Sequence, residues 1–278
     1  MEESKIMRIR FSIAATIVLL LPTFANAQPA SPAESTMNKQ PITVEDLFQL
    51  KRVAAPDISP DGSWVAYAVS EITDSKQNKS QSRLWLVPSD GSVPPRQLTN
   101  GTAKDSNPKW SPDGRWILFE STRSGSGQLW IINPAGGEAR QLTTISTDAS
   151  NGTWSPDGKH VAFVSAVYPE YSPLPFAESD AANKKKADEI ANSPVKVRVF
   201  KRLFYRHWDS YVEDKRQHLF VADVSINDAG DLVAGSPRDV TPGDRDAYPT
   251  STTFSARQDF CFSPDSSHLI FNAVPATD

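Results

Sequence analysis

One cysteine, Cys261, is the only thiol in 278 residues, so no intrachain disulfide can form and the fold must hold by packing alone. That residue is expected to be a small buried apolar side chain in a strand, because a nucleophilic thiolate needs a partner His and a polarised setting that the surrounding sequence does not supply. A membrane-spanning helix needs roughly 20 consecutive apolar residues. The apolar stretch near the start, Phe11 to Leu21, has 11. Nor does charge of one sign dominate: 29 Lys and Arg stand against 33 Asp and Glu, a mixed and mildly acidic balance that argues against a nucleic-acid binder. No Gly-x-Ser-x-Gly elbow occurs anywhere in the chain, so the strained strand-to-helix turn that presents a hydrolase serine is missing.

What is present begins with an export signal. Lys5, Arg8 and Arg10 form a basic region ahead of Phe11 to Leu21, Pro22 breaks the apolar stretch, and Ala25-Asn26-Ala27 supplies a small-residue cleavage site. Residues 1–27 are therefore expected to be a signal peptide cut before Gln28, which implies a periplasmic or secreted protein with no membrane attachment after cleavage. Gln28, not a Cys, directly follows the cut, which argues against a lipid-anchored form. Cleavage removes three basic and two acidic residues, leaving 26 Lys and Arg against 31 Asp and Glu. Residues 28–40 are polar and rich in Pro, Ser and Ala, a flexible tether, and Thr43 can cap a helix through Leu50 with Glu45 and Asp46 in its first turn.

The rest of the chain repeats itself. Ser-Pro-Asp-Gly starts at Ser59, Ser111 and Ser155, and Ser-Pro-Asp-Ser starts at Ser263, giving spacings of 52, 44 and 108 residues. Each tetrad reads as a turn: Ser at the first position, Pro presetting φ at the second, Asp bonding back to local backbone, and Gly taking the left-handed position that closes a hairpin. Ser111, Asp113, Ser155 and Asp157 are accordingly read as turn residues and not as nucleophile or metal ligands. A strand apolar on both faces follows each turn, as in Trp64 to Val69, Trp116 to Phe119 and His160 to Val164. A third strand comes next (Arg83 to Pro88, Gln128 to Asn133, His218 to Asp223), then a short fourth at Pro95 to Thr99, Ala139 to Thr143 and Pro237 to Thr241. Four strands per unit of about 45 residues, none able to bury its faces alone, is the pattern of a β-propeller blade, with the tryptophans at strand ends packing blade on blade. The expected fold is all-β: a partial β-propeller of four-stranded blades over residues 41–278, with a long insertion in the third blade and a short N-terminal helix.

The insertion, at about residues 168–217, explains the doubled spacing. It runs from a Pro-rich stretch through a charged one, with a short helix expected around Ala182 to Ala191 and a strand in "VKVRVFKRLFYR" from Val195 to Arg206. Loops this long in a compact domain are commonly either functional or disordered. The plainer reading of this stretch is a strand hairpin with a polar exposed tip; against it, Arg206, His207, Trp208 and Glu213 are the candidates for a substrate-facing or domain-docking role, since Arg and aromatic clusters are what buried contacts use, and Asp214 lies beside them. A metal site from His207, Asp209 and His218 lacks standard ligand spacing, and no cofactor or metal is called for.

The stretch "ITVEDLFQLKRVAAPDISPDGSWVAYAVS", the following "RLWLVPSDG" and "PRQLT", and "RLFYRHWDSYVEDKRQHLFVADV" together resemble the N-terminal propeller of exported serine peptidases of the prolyl oligopeptidase family, on the branch with bacterial dipeptidyl and acylaminoacyl peptidases. The resemblance covers Pro41 onward. It implies that the propeller gates the access of short peptides to an α/β-hydrolase domain in cis, where a Ser-Asp-His triad does the chemistry. That domain is not in this sequence, which therefore reads as the front part of a longer protein, inactive alone. Members that bind free peptide N-termini keep a pair of acids in the propeller, whereas the adjacent Glu pair here, Glu2-Glu3, lies in the leader. The tetrad also fits a non-enzymatic propeller of the Tol-associated periplasmic type that binds partner proteins. A metal-dependent lactonase-like propeller would need channel-facing acidic and amide ligands.

Overall fold

A computed structural model describes residues 41–197, 199–200, 206–207, 210–211, 214–248 and 259–273. Residues 1–40, read from the sequence as a signal peptide and tether, lie outside the described residues. A short helix α1 (Val44–Gln49) comes first, closed at its start by a reciprocal box in which Thr43 Oγ1 accepts from Asp46 N and Asp46 accepts from Thr43 N.

The first blade is an antiparallel sheet of β1 (Arg52–Ile58), β2 (Trp64–Asp74), β3 (Lys79–Pro88) and β4 (Arg96–Gln97), in that order. The second repeats it with β5 (Asp105–Trp110), β6 (Ile117–Ser121), β7 (Gln128–Ile132) and β8 (Arg140–Gln141). The third begins with β9 (Ser150–Trp154) and β10 (His160–Val167). Its insertion then holds a 3-10 turn (Pro169–Tyr171), helix α2 (Phe176–Asn192) and a two-residue hairpin of β11 (Arg206–His207) and β12 (Ser210–Tyr211). The blade resumes with β13 (Arg216–Ile226), whose far end pairs with β14 (Leu232–Ala234) and whose middle pairs with β15 (Arg238–Asp239). A hairpin of β16 (Phe260–Phe262) and β17 (Leu269–Phe271) opens the fourth repeat.

The tetrads are turns by direct observation. In all four the serine Oγ donates to the aspartate two residues on, at 2.5 to 2.6 Å, and accepts the backbone N–H five residues on, at 2.9 Å. Gly62, Gly114 and Gly158 sit at φ of 74°, 69° and 70°, where a Cβ is strained, and in the degenerate copy Ser266 takes the same left-handed conformation at 61°. Another repeated device closes the outer edge. Thr99, Thr143 and Thr241 are buried, and their Oγ1 atoms accept from Leu84, Leu129 and Leu219 N at 2.9 to 3.0 Å, satisfying strand donors that water cannot reach.

Period two then distributes the side chains between neighbouring blades. Ile117 and Phe119 join Ala66, Ala68, Leu84 and Leu86 in the seam between blades 1 and 2. Leu118, Leu129 and Ile131 point the other way, onto Val161, Phe163 and Phe220 of blade 3. Ala162, Val164 and Leu219 in turn cover Phe260, with Phe262 and Phe271 packed against the same cluster. Burying a side chain such as Phe119 or Phe163 fully contributes about 2–3 kcal/mol. Tryptophan ties the seams: Trp110 Nε1 donates to the Asp57 carbonyl and Trp154 Nε1 to that of Lys109, both at 3.2 Å. The outer-strand arginines reach across as well, Arg96 to the Pro134 carbonyl and Arg140 to the Asp231 carboxylate.

Several expectations are corrected. Cys261 lies in β16 but is exposed, because Phe260 and Phe262 on either side of it face blade 3 and alternation turns the thiol to the opposite face. Helix α2 spans 17 residues from Phe176, well ahead of the expected Ala182, since the segment is anchored by packing that composition does not reveal. Val195, Val197 and Val199 form no strand and are exposed; within the expected strand only Arg206, its last residue, is in β structure, while Arg198 and residues 201–205 lie outside the described residues. Strand β14 was not anticipated. Nor were the left-handed residues Ala55, Asn107 and Asn151 (φ 49°, 51° and 54°), each four positions before its turn serine, where β1 and β5 slip register against their partners.

Candidate functional site

The insertion is the least repetitive part of the protein, and its root is built from residues of four elements. Phe176, at the start of α2, stacks edge-on against Phe220 of β13 with centroids 6.4 Å apart. One turn later Asp180 accepts from both N and Oγ of Ser146, at 2.8 and 2.7 Å, which fastens the helix to the loop leaving blade 2. Asn183, buried on the inner face, accepts from Tyr168 N at 2.7 Å and donates to Ser179 O at 2.9 Å. These contacts meet the polar groups that a helix docked on a sheet would otherwise bury unpaired.

A mixed cluster of charge and aromatic rings surrounds that anchor. The Lys186 ammonium lies 4.1 Å from the Tyr168 ring centroid and pairs with Glu170, and Lys215 approaches the same ring at 5.4 Å. Burial works against ionisation of Glu170, but the Lys186 hydrogen bond and charge outweigh it and hold the carboxyl below the usual glutamate range. On the other strand of the root, Arg216 Nε meets Asp244 Oδ1 at 2.9 Å. Burial pushes the Asp246 carboxyl up, opposed by the Gln217 N–H that it accepts at 2.8 Å. His218 is fully buried, with Nδ1 2.7 Å from Asp239 Oδ2 and Nε2 2.9 Å from the Gly243 carbonyl.

Of the residues singled out from sequence, Arg206 and His207 lie on the β11–β12 hairpin, paired through the backbone with Tyr211 and Ser210. Trp208, Asp209 and Glu213 fall outside the described residues, and Asp214 is exposed. His218 is committed to Asp239 and Gly243, so it does not join His207 in a metal site, and among the described residues no group of three His, Cys, Asp or Glu could hold an ion. Ser172 donates its Oγ hydrogen to Pro169 O and accepts Gly243 N, which leaves it no contact with the His218 ring that could make it a nucleophile. Sequence reasoning missed the Asp180–Ser146 and Glu170–Lys186 contacts altogether. It placed His218 at the start of a third strand and weighed its side chain as a metal ligand, although its place before the capped leucine, where blade 2 has Gln128, marks a structural role.

A second surface feature recurs between the turns. A groove of about 450 Å³ between blades 1 and 2 is walled by Trp64, Trp110 and Pro112, and one of about 340 Å³ between blades 2 and 3 by Trp116 and Trp154. In the first, the Arg96 guanidinium of the protein itself sits over the Trp64 ring at 5.9 Å, so the groove belongs to the seam.

A family model described as the TolB β-propeller domain, PD40, matches residues 40–180, and the chain belongs to that family. It is 31% identical over 228 residues to dipeptidyl-peptidase 5 of Porphyromonas endodontalis, covering 81% of this chain and 31% of that protein. Against dipeptidyl-peptidase 5 of Porphyromonas gingivalis it is 32% identical over 242 residues, covering 87% and 32%. The Tol-Pal system protein TolB of Bordetella pertussis is 36% identical over 58 residues, covering 21% and 13%. The chain spans about a third of the length of the two peptidases it matches. Its propeller is thus similar to the propellers of peptidases of the prolyl oligopeptidase family, as the sequence resemblance implies. No helix among the described residues is long and apolar enough to cross a membrane.

Proposed function

We propose that this propeller gates the passage of short peptides to a serine hydrolase domain carried by the same protein, and that the protein is exported. The observation that carries the reading is the similarity to two proteins named dipeptidyl-peptidase 5 over more than four-fifths of the chain. These 278 residues contain no Gly-x-Ser-x-Gly elbow, so on this reading the nucleophile belongs to another part of the protein. An annular stack of sheets admits an extended peptide and excludes a folded domain by size. On this reading Arg206, His207, Trp208 and Glu213 of the insertion are the residues that contact the substrate or dock the hydrolase domain. Export rests on the features of residues 1–27.

Hydrolysis of dipeptidyl amides by the full protein and by the 278-residue chain tests the proposal. Activity and labelling by a serine-directed fluorophosphonate are expected in the full protein, with neither in the shorter chain. A Tol-associated scaffold is the second reading, favoured by the family model itself. A full protein with neither hydrolysis nor labelling would decide for the scaffold. N-terminal sequencing of the exported form is expected to begin at Gln28.

A further inference from the structure

The three blades solve one structural problem with three different side chains. In each, the residue just before the capped leucine donates to the carbonyl two residues beyond the capping threonine. Blade 1 uses Arg83, whose Nη2 reaches Gly101 O at 2.9 Å; blade 2 uses Gln128, whose Nε2 reaches Ile145 O at 2.7 Å. Blade 3 uses His218, whose Nε2 lies 2.9 Å from Gly243 O. A guanidinium and an amide keep their donors at any ordinary pH, and an imidazole does not. The difference extends to the partner. Where blades 1 and 2 have Gln97 and Gln141, each donating to a threonine carbonyl, blade 3 has Asp239, with one oxygen accepting Thr241 N and the other facing His218 Nδ1.

We propose that His218 and Asp239 form a proton-operated latch on the 241–248 segment and, through Gly243, on the root of the insertion. A neutral imidazole has one N–H, but this fully buried ring faces a carboxylate on one side and a carbonyl on the other. With two ring protons both contacts are made. With one, whichever nitrogen keeps it, the other sets a lone pair against an oxygen at less than 3 Å, and one contact is lost. The loss is transmitted because Gly243 N is bound to Ser172 Oγ at 3.0 Å and Ala247 N to Gln217 O at 2.8 Å, so the segment that moves is tied to the insertion root on both sides, just after the 3-10 turn and at the start of β13.

The charged groups around the ring are Asp239 from β15, Asp244 and Asp246 from the 241–248 segment, and Arg216 from β13, with Glu170 and Lys186 of the insertion beyond Asp244. Facing it from β10 is Ser165, which does not titrate. Asp246 is the group to separate from the latch, since burial shifts its own titration upward. The latch is independent of the peptidase reading, because it concerns only how the insertion is held.

Amide hydrogen exchange of the intact protein over about pH 5 to 8, the range in which histidine side chains change charge, tests it after correction for intrinsic rates. Protection of Gly243 N–H is expected to fall about tenfold as pH rises, the effect of one lost buried hydrogen bond, while Leu129 N–H in blade 2 stays constant. His218→Gln, which installs the residue of blade 2, is expected to abolish the pH dependence, and Asp246→Asn to leave it in place. In the wild type, ring ¹⁵N shifts at the acid end are expected to show both His218 nitrogens protonated, a readout that needs no variant. Unchanged Gly243 protection in the wild type, an equal fall in His218→Gln, loss of the effect in Asp246→Asn, or a singly protonated ring at pH 5 would each overturn the latch.

Discussion

Trp154 hands its indole hydrogen to the backbone carbonyl of Lys109, one blade back, at 3.2 Å, and Trp110 makes the same contact one repeat earlier with Asp57. The fourth repeat has Phe262 at the equivalent position, which lacks a donor and stacks near His160 with centroids 6.5 Å apart. Trp154→Phe should therefore keep the ring in the seam and lose the hydrogen bond, at a cost of about 1–2 kcal/mol; Trp154→Ala should cost about 3–5 kcal/mol. Urea unfolding midpoints at constant slope would measure both. Equal losses in the two variants would mean that the ring's packing contributes little.

Gly152 lies in β9, against Leu118 and Leu129 of blade 2. A Cβ there would stand 2.9 Å from Leu118 Cδ2 and 2.9 Å from Leu129 Cδ2. Gly152→Ala should destabilise by about 1–3 kcal/mol through overpacking. Adding Leu118→Val, which opens room on the facing strand, should restore part of the loss in the same unfolding experiment.

The threonine caps are testable by an isosteric change. Thr143→Val leaves Leu129 N without its acceptor and Gln128 Oε1 without the hydroxyl that donates to it at 2.8 Å. Both groups are buried, so a loss of about 1–3 kcal/mol is expected. Retention of wild-type stability would show that another donor or water takes the place of the hydroxyl.

Asp61 sets an acid limit on the first turn. Hydrogen bonds from Ser59 Oγ first, then from Ser63, lower the Asp61 carboxyl from 3.8 to about 2. A folded-state value below the unfolded one means that the unfolded chain binds the proton more tightly. The turn's contribution is thus complete above about pH 4 and is lost as pH falls toward about 2. Ser59→Ala, which removes the largest cause, should move the Asp61 carboxyl titration back toward 3.8, as followed by ¹³C NMR. An unmoved midpoint would reassign the shift to the backbone of the turn.

Local chemistry made much of this fold legible. Ser-Pro-Asp-Gly encodes a turn within four residues, and the alternation after it encodes a strand covered on both sides, so Ser111 and Asp113 could be assigned before any coordinates. What stayed hidden depends on partners far away in the chain. Cys261 sits in a strand as expected, but which side of a strand is covered is decided by the neighbouring sheet and not by period two. The extent of α2 depends on Phe220 and Ser146, and nothing in the composition of Phe176 to Ala181 announces those contacts. At the insertion root, His218 was visible as the start of a third strand, while its pairing with Asp239, 21 residues on, depends on how the third and fourth strands of that blade lie together.

The alternation of Ile117 and Phe119 with Leu118 gives the middle sheet two obligations at once. Melting blade 2 would strip Ala66 and Leu84 on one side and Val161 and Phe163 on the other. A local opening there cannot remain local, so this stretch should behave as a single cooperative block whose slowest-exchanging amides lie in β6 and β7.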